Sequence, residues 1–81
     1  MTVEELRDYV SCGREIEFEF KGKRFSIVYI EIDNEDWISF CEFYKETTEV
    51  KTVDELLMVE RYGITVKDML ASCTEKDIWI F

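Results

Sequence analysis

From Glu15 onward the chain alternates: Glu15, Glu17 and Glu19 interleave with Ile16, Phe18 and Phe20, and Lys21-Gly22 follows at once. A period of two sends the acids to one side of an extended strand and the apolar side chains to the other. A two-residue turn containing glycine folds such a strand back on itself. With Lys21-Gly22 as that turn, Phe18 falls opposite Phe25, Ile16 opposite Ile27 and Glu19 opposite Arg24, which matches apolar with apolar and acid with base. The chain is thereby committed to an antiparallel hairpin with one face that has to be covered.

The second strand is expected to run from Arg24 to about Ile32. Its apolar residues occupy both parities (Phe25, Ile27, Tyr29 and Val28, Ile30, Ile32), which implies burial on both faces or a bulge. Asp33-Asn34-Glu35-Asp36 reads as a polar turn, and Trp37 to Tyr44 as a third strand, so three strands form a meander. Lys45 to Lys51 reads as a polar connection.

Helices flank this sheet. Thr2 and Glu5 have the spacing of a capping box, Val3, Leu6 and Val10 recur on one helical face, and Gly13 can end the helix, so a first helix is expected from Val3 to about Cys12. Thr52 and Glu55 repeat that grammar before Leu56-Leu57-Met58-Val59, with Gly63 as the closing glycine of a second helix. The likeness of Thr2-Val3-Glu4-Glu5-Leu6 to Thr52-Val53-Asp54-Glu55-Leu56 is shared helix-start chemistry, because the chain is too short for a full duplication. A third helix follows, with Thr65 as N-cap and its end near Cys73, and Ile78 to Phe81 form a short strand or a docked tail. The fold class expected is α+β in a single domain over residues 1–81: an N-terminal helix, a three-stranded antiparallel meander, two helices packed on one sheet face and a short C-terminal strand. A composition of 47% apolar and 15% aromatic residues without proline supports a folded chain over a disordered one.

The residue inventory narrows the chemistry. Histidine is absent, which removes the commonest general base and every Ser-His or Cys-His pair. Cys12, Cys41 and Cys73 lie far apart, as buried small hydrophobes do in a reducing compartment, and they do not supply the paired ligands of a zinc site. A calcium loop begun at Asp33 would need glycine at Ile38 and glutamate at Tyr44. Glu17 and Glu19 belong to the wet face of a strand, not to an acid-base pair across a cleft. Lys21, Lys23 and Arg24 have aromatic neighbours but sit in a strongly acidic chain, so direct nucleic-acid binding is not expected. No cofactor or metal is expected. The N-terminus has acids where a secretory signal has bases, and no apolar run reaches membrane-spanning length, so a cytoplasmic protein is expected.

The acidity is concentrated. Glu31, Asp33, Glu35, Asp36, Glu42, Glu46 and Glu49 face a single base, Lys45, between positions 31 and 49, which places −6 of the chain's net −9 in that stretch. These seven acids are the candidate contact surface for a protein partner. The stretch from Gly13 to Ile27, with Asp54-Glu55-Leu56-Leu57, resembles a group of short acidic proteins from Gram-positive bacteria, their phages and mobile elements. That resemblance implies no catalytic residue and raises the expectation of an inhibitor of host defence. The function expected is a non-enzymatic acidic protein-binding module that imitates nucleic-acid phosphates to a DNA- or RNA-processing enzyme. The alternative is a small assembly protein that self-associates through aromatic surface or a sheet edge.

Overall fold

The capping box closes as expected: Thr2 Oγ1 accepts from the Glu5 N–H, and the Glu5 carboxylate accepts from the Thr2 N–H at 2.9 Å. It opens α1 (Val3–Ser11), which buries Leu6 and Val10. The hairpin of β1 (Ile16–Phe20) and β2 (Lys23–Ile32) follows with the expected register, Ile16 opposite Ile27, Phe18 opposite Phe25 and Glu19 opposite Arg24. Both turn residues have positive φ, 51° at Lys21 and 76° at Gly22, as the twist of a two-residue hairpin turn demands. All 81 residues are described by this computed structural model.

β3 (Glu35–Glu42) pairs antiparallel with β2 along its whole length, from Phe25 opposite Glu42 to Ile32 opposite Glu35. The turn between them is Asp33-Asn34 alone, in the left-handed conformation that these two residue types tolerate. Glu35 and Asp36, expected in the turn, therefore belong to the strand. The expected polar connection contains another strand, β4 (Thr47–Val50), which pairs with β3. Its Thr-Thr-Glu-Val sequence is β-branched at three positions, and pairing with an existing edge overrides its polarity.

The second helix is shorter than expected. α2 (Val53–Leu57) ends before Val59. β5 (Glu60–Arg61) and β6 (Ile64–Thr65) then form a separate small hairpin with Tyr62-Gly63 as its turn. Gly63 thus supplies the positive φ of a hairpin, not of a helix end; Tyr62 beside it has φ 57°. α3 (Val66–Ser72) starts at its Thr65 cap, and a 3₁₀ turn at Glu75–Asp77 leads into β7 (Ile78–Ile80), which pairs with β1. The meander is therefore the centre of a five-stranded antiparallel sheet in the order β4-β3-β2-β1-β7.

One sheet face is covered. Ile16, Phe18, Phe25, Ile27, Ile38 and Phe40 meet Leu6 and Val10 of α1, Val53, Leu56 and Leu57 of α2, and Val66, Met69 and Leu70 of α3 in a single core. Phe25 stacks on Phe18 with ring centroids 5.2 Å apart and on Phe40 at 5.6 Å. The both-parity pattern of β2 reflects neither a bulge nor two buried faces. Its odd residues Phe25 and Ile27 are core, while Ser26, Val28 and Ile30 lie on the uncovered side and are only half-buried.

Phe25 is fully buried against two rings. Phe25→Ala should lose about 3 to 5 kcal/mol of unfolding free energy in a urea titration, and Phe25→Leu less than about half of that.

Candidate interaction surface

The strands of the sheet are unequal. β1 accompanies β2 only as far as Ile27, and β4 accompanies β3 only as far as Ile38, whereas β2 and β3 stay paired out to Ile32 and Glu35. The β2–β3 hairpin therefore projects past β1 by five residues of β2 (Val28–Ile32), or about 16 Å at the rise of a strand, and past β4 by three residues of β3 (Glu35–Trp37). Tyr29, Ile30, Ile32 and Trp37 are strong strand formers, and Ile30 pairs with Trp37 across the ladder. That pairing sustains the extension after the neighbouring strands have ended.

Four of the seven candidate acids sit on this projection: Glu31, Asp33, Glu35 and Asp36, all exposed. Glu31 lies directly opposite Asp36. Like charges in that relation repel and cost stability. The Tyr29 hydroxyl donates to the Asp36 carboxylate. Glu35 accepts from Lys51 Nζ at 3.2 Å, and the same ammonium lies 4.0 Å from the Trp37 ring centroid.

Of the other three acids, one lies beside the projection and two are at the opposite end of the sheet. Glu49, on β4 opposite Ser39, lines a shallow recess with Ile32, Asp33, Glu35 and Trp37. Glu42 is at the far end of β3, about 24 Å of strand from Glu35, where it accepts from the Tyr62 hydroxyl. Glu46 is in the β3–β4 turn. The single acidic segment of the sequence is thus divided between two ends of the sheet, because its strand runs the length of the domain.

The uncovered sheet face, expected once the helices pack on one side, is the second candidate surface. Cross-strand pairing sets Trp79, Glu17, Ser26, Cys41 and Thr47 side by side across it, with Val28 and Ser39 in the next row and Ile30 and Trp37 beyond. Arg24 lies with its guanidinium 3.7 Å from the Trp79 ring centroid and donates to Glu17 at 3.3 Å. Its Nε is buried with no hydrogen-bond partner. The signal for this face was the even parity of β2, Ser26, Val28 and Ile30. The bases of the first turn, on the helix side, are likewise engaged on rings, Lys21 with Phe20 at 5.4 Å and Lys23 with Tyr62 at 4.6 Å.

On the helix side, a groove of about 300 Å³ separates the base of the projecting hairpin from α1 and α2, lined by Val10, Tyr29, Asp36, Trp37, Ile38 and Val53 among others. Arg7 and Asp54 form an ion pair between α1 and α2. None of the three cysteines joins the buried core as expected: Cys12 is exposed, since it caps the end of α1 beyond the core, and Cys41 and Cys73 are half-buried. Burial, with the Asp77 charge, pushes the Cys73 thiol above its ordinary pKa. No group of three or more Cys, Asp or Glu side chains is arranged to hold a metal ion, and no helix is long and apolar enough to cross a membrane. Comparison with protein-family models, curated proteins and solved structures finds no match to this chain.

The hydrogen bond to Asp36 raises the Tyr29 pKa above its ordinary value, with partial burial and the Asp36 and Glu31 charges adding to it. The bond favours the neutral phenol. Its contribution to stability is therefore complete below the ordinary tyrosine pKa and disappears as pH rises through the raised one. A spectroscopic titration should place Tyr29 above an unperturbed tyrosine, and Asp36→Ala should bring it back. On the uncovered face, a hydrogen bond with Glu17, then desolvation and the Glu17 charge, raise the Glu15 pKa. A carboxylate held against its preferred charge state opposes folding at neutral pH. Glu15→Gln should raise the thermal midpoint there, with a gain that shrinks as pH falls through the carboxyl range.

Proposed function

We propose that this chain is a non-enzymatic protein-binding module that offers its β2–β3 hairpin to a basic partner. The observation that carries the proposal is the projection of that hairpin beyond its neighbouring strands with Glu31 set directly against Asp36. Such an opposition costs stability in the isolated chain, and a cation brought by a partner relieves it. Glu31, Asp33 and Asp36 have no basic residue bonded to them, while Glu35 has Lys51. A protruding anionic edge of this kind fits a groove lined by lysine and arginine, where complementary fields speed and orient association. The partner class that follows is a nucleic-acid-processing enzyme whose phosphate-binding groove the hairpin occupies. The resemblance to proteins of phages and mobile elements makes a host-defence enzyme the specific form of this reading.

The uncovered sheet face favours a second reading, self-association. Trp37, Ile30, Val28 and Trp79 lie half-buried on it without a covering helix, and a sheet face of this mixed apolar and polar kind can pair with its equivalent in a second copy.

Immobilised protein should retain a basic partner from host lysate at low salt and release it at high salt, with DNA competing for the site. The double change Glu31→Lys and Asp36→Lys should abolish retention. Retention indifferent to salt and to both changes sinks the first reading. The second predicts a mass that rises with protein concentration in sedimentation and returns to monomer in Trp79→Ser.

A further inference from the structure

The direction of the backbone groups in β2 can be read from two hydrogen bonds. The Phe43 N–H donates to the Arg24 carbonyl at 2.8 Å, so Arg24 turns its backbone polar groups toward β3. In an antiparallel ladder alternate residues do the same, which assigns Ser26, Val28, Ile30 and Ile32 to that side. The Phe81 N–H donates to the Glu15 carbonyl at 2.8 Å, which turns the odd residues of β1 toward β7 and its even residues toward β2. Both bonds give one answer. Phe25, Ile27, Tyr29 and Glu31 direct N–H and C=O away from β3.

Phe25 and Ile27 find Phe18 and Ile16 of β1 there, but Tyr29 and Glu31 lie past the end of that strand. No backbone or side-chain hydrogen bond reaches their outward groups from anywhere in the chain, leaving two donors and two acceptors in a row on an extended edge. The other edge of the hairpin is not equivalent, because Lys51 binds Glu35 and lies on Trp37 where β4 ends.

We infer that the free edge of β2 at Tyr29 and Glu31 receives an extended segment of the partner as an added strand, end to end with β1. This rests on the proposed function and specifies how that hairpin is engaged. An added strand would alternate its side chains between Glu31 and Asp36 on the helix side and Ile30 and Ile32 on the other. The fitting segment alternates basic and apolar residues. A second copy of this chain does not fit, since it would bring another set of the acids Glu31, Asp33 and Asp36 close to this one in a molecule of net charge −9.

The test uses a blocked peptide of alternating lysine and valine, about seven residues long to match a strand, and its analogue N-methylated at alternate backbone nitrogens. The two have the same charge. Binding of the first should shift and protect the amide protons of Tyr29 and Glu31 in NMR, and N-methylation should weaken it about tenfold or more. Glu31→Pro removes an outward N–H without touching the β3 ladder and should also reduce binding about tenfold or more, whereas Glu31→Gln, which keeps that N–H, should lose only a few-fold. Equal affinity for the two peptides overturns strand addition, and where it persists with strong salt dependence a charge-driven contact still stands. Binding that ignores both salt and N-methylation overturns the strand and the proposed function together. Should Glu31→Pro fail to fold, the peptide pair on the unaltered protein decides.

Discussion

Three phenylalanine rings from adjacent strands, Phe18, Phe25 and Phe40, lie nearly parallel in a triangular cluster at the centre of this domain, Phe18 and Phe40 themselves 6.3 Å apart. All three are fully buried. A chain of this size has room for one core, and large rings supply most of the apolar area that a single layer contact can bury. Their register decides which face of the sheet is inside. A slip of one residue would turn Phe18 and Phe25 to solvent and bring Glu17, Glu19 and Arg24 under the helices. The placement of α1, α2 and α3 on one side, and the exposure of the other, follow from that cluster.

Covering only one side has a cost that the uncovered face manages locally. Arg24 spreads over Trp79 and reaches Glu17, and Lys51 lies on Trp37, so long charged side chains shield rings that no helix reaches. The arrangement also leaves tension in the face: an unpartnered Arg24 Nε, and a Glu15 carboxyl driven toward its neutral form by Glu17. The same economy governs the sheet's outline. Because β1 and β4 stop short, the central hairpin stands clear of the layer that stabilises it and carries repelling carboxylates at its tip. Interaction surfaces are drawn from such exposed, less stable parts of a structure, since groups already satisfied within the chain have little to offer a partner.

The legible parts of the sequence were those in which a local rule acts alone. Alternation plus Lys21-Gly22 gave the first hairpin to the residue, and the threonine caps marked the starts of three helices, because turn and cap geometry depend on a few consecutive residues. Misreadings fell where a distant partner chose between local options. Thr47–Val50 is polar enough to pass for a loop and becomes a strand only because β3 offers it an edge. Gly63 permits a helix end and a hairpin turn equally, and pairing of Glu60–Arg61 with Ile64–Thr65 selects the turn. The acids at positions 31 to 49 form one cluster in sequence but not in space, since an extended strand carries its ends apart.

The sequence by itself determined the α+β class and the first hairpin with its register, both of which rest on side-chain period and short-range backbone geometry. Only the tertiary structure decided that the sheet has five strands, that β3 begins at Glu35, and that Tyr29 and Glu31 keep unpaired backbone groups at an open edge. The reason is physical: a strand edge is open or closed according to where a different segment stops, and no residue within the strand encodes where its neighbour ends.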